Sequence, residues 1–171
     1  MVSKKLSKLL LGIYSLLLIW ILLFKLSLSF TDLAASLEHP MRSINLIPFQ
    51  GSMIVNGKIA LNEIIMNGIV FVPLGVLLGI SAKGLSFMKK LAFLFLFSLF
   101  IEGMQFVLGI GATDVTDILM NFIGGFLGIC IYQGLRRIVP EAKLDKRLIA
   151  IGTVMGVLCL GMVLFIIFIN R

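Results

Sequence analysis

Charge is scarce in this sequence. Of its 171 residues 13% are charged and 60% are hydrophobic, whereas a soluble domain carries about a quarter charged residues and under half apolar ones. One small core cannot absorb such an excess, because a domain of this size leaves much of its surface exposed; a soluble globular protein is excluded. Histidine occurs once, at His39, and cysteine twice, at Cys130 and Cys159. The cysteines stand singly inside apolar runs with no CxxC pattern, which argues against a zinc site and for small packing residues. No interleaving of aromatic and basic residues accompanies the net charge of +7, so no nucleic-acid partner is expected. No small-residue cleavage site closely follows the first apolar run, Leu9 to Phe24; Ala34, Ala35 and Ser36 come too far downstream. Lys4, Lys5 and Lys8 with that run therefore read as an uncleaved signal anchor. Low-complexity segments and internal repeats are absent too.

What the sequence does contain is a series of apolar stretches long enough to cross a bilayer, for which about 18 or more residues suffice. The fold expected is an all-α integral membrane protein, a bundle of about five transmembrane helices at about 6–26, 62–80, 90–108, 114–135 and 148–169. Pro73 falls inside the second helix and is expected to kink it. Residues 27–61 form the one long non-spanning segment, with Asp32, Glu38, His39, Pro40, Arg42, Pro48 and Lys58. Its stretch Asn45 to Phe49 is apolar enough to lie at the interface or dip back into the bundle. A basic loop is expected at 81–90, a glycine-rich turn at Gly109, Ile110 and Gly111, and a second basic loop at 136–147 around Pro140. The domain organisation expected is one transmembrane unit over 1–135, followed by the basic loop and fifth helix over 136–171.

Charge distribution orients the bundle. With the N-terminus in the cytoplasm, Lys4, Lys5, Lys8, Lys83, Lys89, Lys90, Arg136, Arg137, Lys143, Lys146 and Arg147 fall inside, and Lys25, Arg42, Lys58 and Arg171 outside. That is the bias the positive-inside rule demands, and it leaves the C-terminus outside. Three pairs of glycines spaced to let helices approach, Gly75/Gly79, Gly124/Gly128 and Gly152/Gly156, suit packing within the chain, with a homo-oligomer interface as the alternative.

An ionisable residue inside a span costs about 2.5–3.5 kcal/mol on the insertion scale, and the polar residues here gather rather than scatter. Asn62, Glu63 and Asn67 open the second helix; Ser98, Glu102 and Gln105 share a face of the third; Asp114, Asp117 and Asn121 share a face at the start of the fourth. All three stripes lie at the outer ends of their helices, which points to one polar pocket open to the outside, with Arg42 as a counter-charge for Glu102 or Asp117 or for an anionic ligand. Plainer readings stand beside this one. Thr113 or Asp114 suits a helix cap, and Asp117 with Asn121 suits a structural hydrogen-bond network. No cofactor is expected. Asp114 and Asp117 form a carboxylate pair that would suit Mg²⁺, but only as a weak metal candidate. Ser98 has no histidine near it in sequence.

Four ordered motifs carry a resemblance. Arg42-x-x-Asn45-Leu46-Ile47-Pro48-Phe49, Asn67-x-x-x-Phe71-x-Pro73-Leu74-Gly75, Ser98-x-x-x-Glu102-x-x-Gln105, and the run from Asp114 through Asp117 and Asn121 to Gly125 together resemble the VanZ-like family of bacterial membrane proteins. The resemblance covers about residues 10–135; the fifth helix carries no family motif. It implies a multi-pass protein of the bacterial cytoplasmic membrane, acting in the cell envelope, in a family named for a protein linked to teicoplanin resistance in Gram-positive bacteria. The family's polar positions fall at Arg42, Asn45, Asn67, Glu102, Gln105, Asp114, Asp117 and Asn121.

Two functional expectations follow. The first is a non-enzymatic membrane protein whose outer pocket binds a lipid-linked envelope component or the lipoglycopeptide itself, amid membrane lipids. The second is an intramembrane enzyme on a lipid phosphate or lipid-linked sugar, with Glu102 as general acid or base and Mg²⁺ on Asp114 and Asp117. A transporter is disfavoured by the short chain and the lack of an inverted repeat.

Overall fold

The computed structural model describes residues 2–24, 41–49, 54–55, 58–59 and 61–169. Asp32, Glu38, His39 and Pro40 of the expected outer segment lie outside them. In chain order the elements are α1 (Val2–Phe24), β1 (Met41–Asn45), β2 (Ile54–Val55), β3 (Lys58–Ile59), α2 (Leu61–Ser81), α3 (Phe87–Leu108), β4 (Ile110–Asp114), α4 (Val115–Leu135) and α5 (Glu141–Ile169). Among the described residues, four helices are long and apolar enough to cross a membrane, over Lys4–Leu23, Ile64–Ser81, Phe87–Leu108 and Val115–Leu135. This is a multi-pass, predominantly helical membrane protein. α5 is 29 residues long and carries no charged residue from Leu148 to its end at Ile169.

The helices form because long apolar runs leave the backbone no polar partner but itself. Local signals then set the ends. Ser86 caps α3, its side chain accepting the Lys89 N–H, and α3 stops at Gly109, whose φ of 66° only glycine adopts freely. Pro73 sits within α2, which continues through it.

α2 and α4 make the most extensive contact in the molecule, and glycine permits it. A Cβ on Gly124 would lie 1.9 Å from the Gly68 carbonyl oxygen, one on Gly128 2.1 Å from that of Val72, and one on Gly75 2.0 Å from that of Gly125. Two backbones thus touch with no side chain between them, and the first two glycine pairs serve packing within the chain. Gly156 faces open space. Leu18, Leu23, Phe71, Leu74, Leu78, Leu94, Ile101 and Ile129 form the central core between α1, α2, α3 and α4. A second cluster, Leu10, Leu77, Ile80, Tyr132, Leu144 and Ile149, joins the start of α1 to the ends of α2 and α4 and the start of α5. The clusters of Lys and Arg at the start of α1, around Lys83, after α4 and in the first turns of α5 therefore collect at one end of the bundle, the basic end.

The opposite end departs from an all-helical plan. β1 and β4 pair in parallel, with Met41 opposite Ile110, Arg42 opposite Gly111 and Asn45 opposite Asp114. β2 and β3 form a small antiparallel pair, with Ile54 opposite Ile59. The expected turn at Gly109, Ile110 and Gly111 is thus confined to Gly109, and the next two residues already belong to a strand. The basic loop expected at 136–147 is likewise shorter: the chain turns over Arg136 to Pro140, whose carbonyl accepts from the Lys143 and Leu144 N–H groups, and α5 begins at Glu141.

Candidate functional site

α2 begins, α3 ends and α4 begins at the strand-bearing end, so the three polar stripes of the sequence arrive at the same depth. They are also bonded to one another. Asp114 is the N-cap of α4, and one of its carboxylate oxygens accepts the Thr116 N–H at 2.7 Å. Its other oxygen accepts Asn45 Nδ2 at 3.1 Å, linking the cap to β1. The Asp114 N–H donates to Glu102 Oε2 at 3.1 Å, and the Thr113 hydroxyl donates to the Glu102 carbonyl at 3.1 Å. Asn67 of α2 donates to Asp117 Oδ1 at 2.7 Å. Deeper, Asn121 Nδ2 donates to the Ser98 hydroxyl at 3.0 Å. Gln105 Nε2 reaches across to the Leu22 carbonyl of α1 at 3.0 Å.

Seven of the eight expected residues, Asn45, Asn67, Glu102, Gln105, Asp114, Asp117 and Asn121, thus make side-chain hydrogen bonds at this end of the bundle, in several separate links. The eighth, Arg42, is placed by its backbone in β1 opposite Gly111, and its side chain lies outside what the structure describes, as does that of Glu63. Both plainer readings hold in part: Asp114 is a cap, and Asp117 and Asn121 are network members.

Burial distinguishes the members. Glu102 is 2% exposed, Asn121 1%, Ser98 0% and Thr116 1%. A buried carboxylate or amide must be matched by partners to be tolerated in a low-dielectric interior. Among the described residues, no donor reaches Gln105 Oε1 or Asn121 Oδ1, so the region holds two buried acceptors beyond those its own bonds use. Among the described residues no group of three or more His, Cys, Asp or Glu is disposed to hold a metal ion.

Thr116 is a participant that the sequence reading did not single out. Its hydroxyl accepts the Phe49 N–H at 2.9 Å, pinning the end of the segment after β1 to the first turn of α4. Phe49 has a φ of 64°, a conformation that costs a bulky residue about 1–3 kcal/mol and so needs such an anchor. A threonine in a helix's first turn resembles any local capping group, and only its partner, far away in sequence, sets it apart.

A membrane bundle in which helices long and apolar enough to span bring a buried polar region to one end is the class that fold and site define. The chain belongs to the VanZ/LLP1 family, whose model matches residues 11–140. It is similar to Protein VanZ of Enterococcus faecium, with 39% identity over 158 residues that make up 92% of this chain and 92% of that one. No solved structure matches it. The resemblance carried by the four motifs is therefore a true family relation.

Proposed function

We propose that this chain is a non-enzymatic envelope protein of the bacterial cytoplasmic membrane. Its polar end faces outward and binds a molecule with a polar head and an alkyl tail, a lipid-linked envelope component or the lipoglycopeptide itself, so that susceptibility to teicoplanin falls. The observation that carries this reading is the gathering of Asn45, Asn67, Glu102, Gln105, Asp114, Asp117 and Asn121 within the first turns of the bundle at one end. Helices held together only by packing would not need so many buried polar groups, since hydrogen bonds between spanning helices contribute about 0.6–2 kcal/mol each. The gathering of basic residues at the opposite end supports the orientation through the positive-inside rule, with α5 as a fifth span that returns the chain outward. The unmatched carbonyl oxygens of Gln105 and Asn121 suit a donor on the ligand, a hydroxyl or amide.

Binding of labelled teicoplanin to the purified protein in nanodiscs tests the reading. The wild type is expected to bind and Asp117→Asn, which keeps size but removes charge, to bind at least tenfold more weakly, equivalent to about 1.4 kcal/mol. Equal binding by a folded Asp117→Asn protein, or none by either, would contradict the lipoglycopeptide version. Repeating the measurement with lipid-linked wall precursor then decides between the two ligands.

A further inference from the structure

From Ile44, near the end of β1, to Phe49 the chain presents a row of apolar side chains left exposed among the described residues. Ile44 is 56% exposed, Leu46 75%, Ile47 57% and Phe49 46%. No charged residue interrupts the stretch from Ser43 to Phe49. The segment is fixed at several points: β1 is paired along its length to β4, Asn45 is bonded to Asp114, the Ile47 N–H to Asn45 Oδ1 at 3.2 Å, and the Phe49 N–H to Thr116. It is thus a preformed apolar hook, anchored to the polar region through Asn45 and Thr116 while its own side chains stay exposed.

Its location identifies what covers it. The hook is anchored to the first turn of α4, one turn before Leu119, which is 39% exposed, and α4 packs on α2, whose first turns expose Ile65, Met66 and Ile69 at 48%, 54% and 52%. Those side chains belong to helices that cross the membrane and have lipid as their solvent. The hook continues their apolar surface at the level where spanning helices give way to strands, which is the boundary between acyl chains and headgroups. Apolar side chains in water at that boundary would forfeit burial open to them a few ångströms away.

We propose that Ile44, Leu46, Ile47 and Phe49 form an interfacial wedge seated in the leaflet at the polar end of the bundle, with bilayer lipid as its partner. The wedge fixes the depth of β1, and so of Asn45 and the cap of α4. This inference is independent of the ligand proposed above, for it holds whether or not the polar region binds anything.

The single tryptophan, Trp20, makes the test direct. In a Trp20→Phe background, Ile47→Trp and Phe49→Trp proteins are reconstituted in phosphatidylcholine–phosphatidylglycerol vesicles. The expected result is blue-shifted emission that loses most of its intensity with lipids brominated near the headgroup and much less with aqueous acrylamide. Emission quenched by acrylamide and untouched by brominated lipid overturns the proposal. So does emission sheltered from both, which would place the hook against a second copy of the chain. Because Ile47 is exposed and its side chain makes no hydrogen bond, its variant keeps the test valid if replacing Phe49 unfolds the segment.

Discussion

At Gly124 a single methyl group would decide the spacing of two helices. Its Cβ would lie 1.9 Å from the Gly68 carbonyl oxygen, whereas nothing stands within 4 Å of a Cβ on Gly156. Gly124→Ala is expected to destabilise the bundle by about 1–3 kcal/mol or more, as overpacked cores do, and to lower its melting temperature in detergent. Gly156→Ala should leave that temperature unchanged. Glu102 offers a similar contrast. Glu102→Ala strands the part-buried Asp114 N–H and should cost about 1 kcal/mol. Glu102→Gln retains a carbonyl acceptor there, so thermal unfolding should place it well above the alanine variant. At this scale the sequence was highly legible, because a carboxylate or amide in an apolar run is conspicuous by its cost. Thr116 and Tyr14 were not. Tyr14 donates to the Val70 carbonyl at 2.8 Å, yet a tyrosine in a membrane helix is unremarkable until its partner is known.

Between elements, the basic end is held by charge. Lys83, in the turn after α2, donates to both Glu141 and Asp145 at the start of α5. The Tyr132 hydroxyl of α4 donates to Asp145 at 2.8 Å, and Arg136 bonds Glu141 and lies over the Tyr132 ring. Three helices meet in this clamp. Burial pushes the Lys83 ammonium down, but the hydrogen bonds to Asp145 and Glu141 outweigh it and hold Lys83 above its ordinary 10.5. The Lys83 hydrogen bond, foremost, holds Glu141 below its ordinary 4.5. A raised lysine stabilises fully below 10.5 and loses its contribution as pH climbs through the folded value; a lowered glutamate stabilises above 4.5 and loses it as pH falls through the folded value. The stability difference between wild type and Lys83→Met, about 1 kcal/mol or more because Lys83 and Glu141 are part exposed while Asp145 is buried, should therefore hold across neutral pH and shrink only at the acidic and alkaline extremes. A difference that peaked near pH 6.5, where histidine titrates, would contradict the clamp. Helices α2, α3 and α4 were readable to within a few residues from apolar length alone. β4 was not, because five residues beginning at Ile110 and Gly111 look like a turn until Met41–Asn45, far upstream, pairs with them. The start of α5 was hidden for another reason: Glu141 to Arg147 is charged, and helix formed outside the membrane leaves no hydropathy signal.

For the whole molecule, the pattern is a packed bundle with unlike ends, one basic and clamped, the other polar, strand-bearing and edged with apolar side chains. The family model matches residues 11 to 140, which takes in every element of the polar end, and the similarity to Protein VanZ, over 158 residues, runs on into α5. The most direct test of the central claim is antibiotic susceptibility in a sensitive Gram-positive host. Wild type, Glu102→Gln and Asp117→Asn would be expressed at matched membrane levels and compared on teicoplanin and vancomycin. The wild type is expected to raise resistance to teicoplanin selectively, and Asp117→Asn to abolish the effect while remaining folded. Full teicoplanin resistance in both folded variants would contradict a functional role for the polar end.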